Sequence, residues 1–433
     1  MKNLGNWKTH TKKWSVALLA SAFLLSPAGL PVSKVEAAAS QAVDSAQSTV
    51  NKQVAAKYRI VTLGDSITVG YEPNLKALPY GYVERLNEQG LLHGRTTVNN
   101  YGISGLKTGG LKSFVEAIQS GTKVDAEAIQ PNLIDPNAAK LGANTEQIRG
   151  SIADSNLIVL TIGGNDVSQL LIAGSTLNDQ QLAESVSALL TAYGENVNQA
   201  IQNLYKINPN AEIIIADQYQ PLPAIADAAL YPKLVEVSKA FTATVDKLAS
   251  ALAAQGVKIK VAHVASEFIG KEAQLTHMIA DRDFHPNQSG YEIIAKVISE
   301  TIWGSHTALS AASGQTINVI VNGAKLNTPY QPVLKENRSF ISIQDIVQAF
   351  GAVTVWDSKS KTAAITYGEH SLTVQIGASE IYLDGVAISL DTPAFLNKVG
   401  KEHKTYVPLA AIAEGFGLDV HYLEKLRTVF VNS

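Results

Sequence analysis

Ile60-Val61-Thr62-Leu63-Gly64-Asp65-Ser66-Ile67 runs from an apolar, β-branched stretch into a glycine, an acid and a serine. The first four residues predict a strand and the next three a turn. A serine placed where a strand turns into a helix presents its hydroxyl above a sheet edge, with the following backbone N–H groups aimed at whatever that hydroxyl attacks. Taken alone, Gly-Asp-Ser is also ordinary turn chemistry.

Three further segments give the serine company. Asn100-Tyr101-Gly102-Ile103-Ser104-Gly105 follows a short β-like run, Gly163-Gly164-Asn165-Asp166 ends the apolar Leu157-Ile158-Val159-Leu160-Thr161-Ile162, and Asp283-Phe284-His285-Pro286-Asn287 precedes the final helical pattern. All four fall at expected carboxyl ends of strands or just before a helix, where open α/β sheets place their ligands. β-branched runs at 60–63, 98–101, 157–162, 212–216 and 259–264 alternate with helical spacing at 197–207, 234–252 and 291–303. That alternation predicts a parallel sheet covered by helices on both faces. Residues 113–155 and 168–184 are long for connections in such a unit, and 218–223 falls on the expected rim as an apolar wall.

The order and context of the four blocks resemble the GDSL/SGNH hydrolase family over about residues 58 to 305. The resemblance implies a three-layer α/β/α flavodoxin-like domain with a parallel sheet, and a serine ester hydrolase needing no cofactor and no metal. It implies Ser66 as nucleophile and His285 as base, with the Ser66 N–H, the Gly105 N–H and the Asn165 amide as oxyanion donors. Serine needs such a base because its hydroxyl is a weak nucleophile at neutral pH. Gly102 reads as a turn former, Asn287 as a helix cap, and Asp65 and Asp166 as loop scaffolding.

The histidine requires an acceptor that fixes its tautomer. Family members usually carry Asp three residues before it, but position 282 is Arg. Asp283, two before, is favoured because an Asp-x-His pair in extended backbone points both side chains the same way. Asp281, four before, is the alternative, and a backbone carbonyl the third.

Outside this region the composition changes. Lys2, Lys8, Lys12 and Lys13 precede the apolar run 14–25, no acid occurs before Glu36, and Ala37-Ala38-Ala39 offers small residues for cleavage. Residues 1–39 read as a secretory signal and 40–57 as a linker, so a secreted or cell-envelope location is expected. The chain of 433 residues has no cysteine, which excludes disulfides and thiolate sites, and its net charge of −3 argues against nucleic acid as a partner. After an Ala/Ser-rich linker at 306–315, residues 316–433 form a smaller α+β domain. Within it, 338–352 matches 404–418 as a strand, a short helix and a glycine stop. This resembles the copper amine oxidase N-terminal-like (stalk) domain of secreted bacterial proteins. His370, His403 and His421 read as surface residues, so no copper site is expected. A spacer, or attachment to a cell-envelope glycan, is its expected role.

The expected substrates are small-molecule, lipid or polysaccharide esters, of lipase, lysophospholipase or carbohydrate acetylesterase type. Two other readings stand beside this one. Asp65, Asp166, Asp283 and His285 could serve a metal-dependent phosphoesterase, or the chain could be a catalytically weak envelope- or glycan-binding protein.

Overall fold

The computed structural model describes residues 56–75, 78–173, 178–313 and 316–433, with side chains omitted for 169–173. The expected signal at 1–39 and nearly all of the 40–57 linker lie outside the described residues.

Five parallel strands, β1 (Tyr58–Gly64), β2 (Thr96–Gly102), β3 (Leu157–Thr161), β4 (Glu212–Ala216) and β5 (Ile259–Ala262), form one sheet in the order β2-β1-β3-β4-β5. Strand alternation sorts the side chains onto two buried faces. Val61, Leu63, Ile158, Leu160, Ile213 and Ile215 pack on one side, whereas Ile60, Leu157, Val159 and Ile214 pack on the other. The seven helices that build the layers and the site are α1 (Ser66–Val69), α2 (Tyr82–His93), α3 (Thr108–Ser120), α4 (Gly164–Ala173), α5 (Asp179–Ile207), α6 (Tyr231–Ala253) and α7 (Gln288–Trp303). The α3, α5 and α6 side chains Phe114, Val197 and Phe241 lie on the first face, and the α2 and α7 side chains Leu86 and Ile294 on the second. The strand order reverses between β1 and β3, so a crevice opens at their carboxyl ends.

Two connections differ from the sequence expectation. Most of 168–184 is helical, because α5 starts at Asp179 rather than near 197. Its cap is Asn178, whose side chain accepts from Gln181 N–H while the Gln181 side chain returns to the Asn178 N–H. In the other, 126–129, 136–142 and 145–153 form short helices that bury Ile129, Ala138, Ile148 and Ile152 in the first core.

Residues beyond 316 form three small sheets around their own core, including Ile341, Ile346, Ile365, Leu372, Val407 and Ile412. The two repeat copies are Arg338–Ser342, Ile343–Phe350, Val353–Asp357 and Glu402–Pro408, Leu409–Gly415, Asp419–Leu423. Their first strands pair antiparallel, with Ile341 opposite Val407. Among the described residues, no helix is long and apolar enough to cross a membrane.

Candidate active site

Ser66 opens α1 directly after β1 ends. Asp65 caps that helix, its Oδ1 accepting from Ile67 N–H at 3.0 Å. Ser66 Oγ lies 2.8 Å from His285 Nε2, and His285 Nδ1 lies 2.7 Å from Asp283 Oδ1. The same carboxylate oxygen accepts the His285 backbone N–H at 2.8 Å, so one acid fixes both the ring and the loop that carries it. Asp281 is placed elsewhere: its Oδ2 sits 2.8 Å from His277 Nδ1. Asn287 caps α7, accepting from Ser289 and Gly290 N–H groups at 3.0 and 3.1 Å, which ties the His285 loop to a helix docked on the sheet.

Burial holds the His285 pKa below the ordinary histidine value, against the opposing charge and hydrogen bond of Asp283. The ring therefore stays neutral, able to take a proton, down to a lower pH than a free imidazole. Burial also pushes Asp65 up to about 7, with its Ile67 hydrogen bond opposing and the charge of Asp166 adding. Asp166 is itself raised by burial and is held by Thr108, which donates its hydroxyl at 2.6 Å and its N–H at 3.1 Å. Both acids are committed to loop contacts.

The first-turn N–H of Ser66 has no partner within its helix. Asn165 lines the same cavity as Ser66 and His285 and uses one amide proton on Leu106 O, at 3.0 Å, leaving the second. Gly105 has φ of +82°, a left-handed conformation that favours glycine, and its N–H meets no acceptor among the described residues. Gly102 does not form a turn. It ends β2, and a Cβ there would lie 2.8 Å from Val69 N, so glycine is needed for close approach to α1.

Ser66 and His285 line a pocket that is partly open to solvent. Val167, Leu234, Val237 and Phe241 give it apolar walls, and Tyr219 and Pro221 of the expected rim segment also line it.

Several supports of the site carry no motif in the sequence. Gln130 accepts the Lys107 N–H at 2.7 Å and donates to Gly105 O at 3.0 Å, and Asp135 accepts the Ser104 N–H at 2.6 Å. Tyr71 packs its ring 4.5 Å from that of His285. Gln130 and Asp135 lie more than twenty residues from the loop they hold, with no local pattern to mark them. Tyr71 immediately follows Gly70, the C-cap of α1, a position that could have drawn notice. Among the described residues, no group of three or more His, Asp or Glu side chains is placed to hold a metal ion. His370 and His421 pair instead with Asp384 and Asp419, at 2.8 and 2.9 Å.

Residues 62–293 match the model of the GDSL-like Lipase/Acylhydrolase family, and 320–431 match that of the copper amine oxidase N-terminal domain. An uncharacterised Bacillus subtilis protein, YpmR, is 24% identical over 175 residues, which is 40% of this chain. The chain spans 64% of the length of that relative. Among solved structures, a lipase from a goat rumen metagenome is 19% identical with a TM-score of 0.40, over 57% of this chain and 97% of its own. A catalytic mutant of an acetylxylan esterase from Geobacillus stearothermophilus is 17% identical with a TM-score of 0.37, over 58% and 96%.

Proposed function

Because the chain belongs to the GDSL-like lipase/acylhydrolase family, whose model spans more than half of it, we propose that it hydrolyses carboxylic esters through an acyl-enzyme on Ser66. The observation that carries this reading is the continuous hydrogen-bonded chain Ser66–His285–Asp283 at the mouth of an apolar cavity.

His285 takes the Ser66 proton as Oγ attacks the ester carbonyl, and Asp283 keeps Nδ1 protonated and stabilises the imidazolium that forms. The Ser66 and Gly105 N–H groups and the free Asn165 amide proton receive the oxyanion. Each such donor is worth roughly 3 kcal/mol in a preorganised site. The imidazolium then protonates the leaving alcohol, and water attacks the acyl-enzyme with His285 again as base.

The apolar walls beside Ser66 support an aliphatic acyl group longer than acetyl, each buried methylene contributing about 0.8 kcal/mol. In this reading the lysine-flanked apolar N-terminus exports the enzyme, and residues 316–433 attach it to envelope glycan.

The test is hydrolysis of nitrophenyl esters from acetate to palmitate, with Ser66→Ala alongside. We expect kcat/KM to rise past acetate and to fall by at least about 10³-fold in the variant. Retained activity in Ser66→Ala, or loss of activity on chelation with no fluorophosphonate label on Ser66, would overturn the reading in favour of metal-dependent chemistry.

A further inference from the structure

His277 stands behind the loop that bears Asp283 and His285. Both of its ring nitrogens face carboxylates, Nε2 at 3.0 Å from Glu72 Oε2 and Nδ1 at 2.8 Å from Asp281 Oδ2. A neutral imidazole has one N–H, so donation to both acids at once requires the cationic ring. Its backbone engages the same loop, the N–H donating to His285 O at 3.0 Å and the carbonyl accepting from Asp281 N–H at 2.8 Å.

The two acids belong to different parts of the site. Glu72 adjoins Tyr71, whose ring packs on His285, and its other carboxylate oxygen accepts from Gln288 Nε2 at 2.5 Å. Gln288 in turn accepts from Arg85 Nη2 at 2.9 Å, which fastens this end to α2 and α7. Asp281 closes the turn Met278–Asp281, after which Arg282 adopts φ of +55°. A left-handed conformation in a residue other than glycine is strained and persists where its surroundings enforce it. That reversal delivers Asp283 to His285 at a spacing of two residues.

We propose that His277 is a positioning residue, bridging Glu72 and Asp281 so that the loop carrying Asp283 and His285 is held in register with Ser66. The proposal rests on the reading of Ser66 and His285 as nucleophile and base. The bracket also bears on charge. The groups facing His277 are Glu72, Asp281 and His285, and those facing His285 are Asp283, Ser66, Tyr71 and Phe284. Positive charge on His277 opposes protonation of His285.

The experiment compares the full chain with His277→Gln on a short nitrophenyl ester across pH, with thermal melting as the check on folding. Displacement of the loop is expected to lower kcat by about 10- to 100-fold with KM within about twofold. The acid limb of kcat/KM is expected to move to higher pH, a shift that a purely structural role for His277 would not produce. Glu72→Gln, which keeps a polar side chain and removes one charge from the bracket, is the second variant and is expected to lower kcat in the same way. Unchanged kcat and an unmoved acid limb in a folded variant, or a rise in KM at constant kcat, overturns the proposal. Fluorophosphonate labelling of the wild type separates the two readings. An unlabelled wild type defeats the serine mechanism, whereas a labelled wild type with an unaffected His277→Gln defeats only the bracket.

Discussion

Asp283 does two jobs with one oxygen, and its replacement separates charge from geometry. Its charge and hydrogen bond raise the pKa of His285 while burial lowers it. In Asp283→Asn the opposing influence disappears, so protonation of the base requires more acid and the lower limb of kcat/KM moves to lower pH. The same change removes the acceptor that fixes the tautomer, and kcat/KM should fall by about 10²- to 10⁴-fold. The direction is opposite to that expected for His277→Gln, so one set of pH profiles checks both. Of this constellation, block order marked Ser66 and His285 as candidates, and extended-chain geometry favoured Asp283 while leaving Asp281 open. His277 was not, because Leu-Thr-His-Met matches no block and its two acids lie four residues downstream and 205 upstream.

The helices at 126–129, 136–142 and 145–153 are an insertion in sequence but a buttress in space. Asp135 caps the second of them through Asn137 N–H at 2.8 Å, and its other oxygen holds Ser104. Gln130 clasps the Gly105 turn from both sides. Replacing Gln130 with Ala frees the carbonyl of Gly105 and the N–H of Lys107, so the Gly105 N–H loses its fixed direction. We expect kcat to fall by about tenfold with KM little changed, a fraction of what a full oxyanion donor supplies, measurable by steady-state kinetics on a short ester. The length of this connection was visible in the sequence. Its part in holding the Gly105 turn was not visible, since side-chain contacts across 25 residues leave no periodic trace. The central strands were legible because both of their faces are buried, which makes 60–63 and Leu157–Thr161 wholly apolar or β-branched.

Across the whole molecule, the last strand reaches the α/β layer. Phe430 and Ile320 pack with Leu91 of α2, and Asn432 Nδ2 donates to Leu91 O and Gly94 O at 3.0 and 3.1 Å. These carbonyls belong to the end of α2, where four have no partner within a helix. Gln89 adds reciprocal bonds to the Thr307 backbone, at 2.8 and 2.9 Å. Asn432→Ala should therefore lower stability by about 1–3 kcal/mol, the cost of leaving buried acceptors unpaired, seen as a lower midpoint in a single melting transition. Separate transitions with the first unmoved would show that the two parts do not share this stability. The sequence by itself determined the alternating order of strands and helices and the parallel sheet, and it marked Ser66, Gly105, Asn165 and His285 as candidates, because β-branched runs, helical spacing and block order are local properties of the chain. Only the tertiary structure decided which acid meets His285, what fills the space beside Ser66, and that residues 316–433 pack on α2 rather than trail from it. Each of these depends on distances between segments far apart in sequence, and those distances are set by how buried surfaces and unpaired polar groups find partners once the chain has closed on itself.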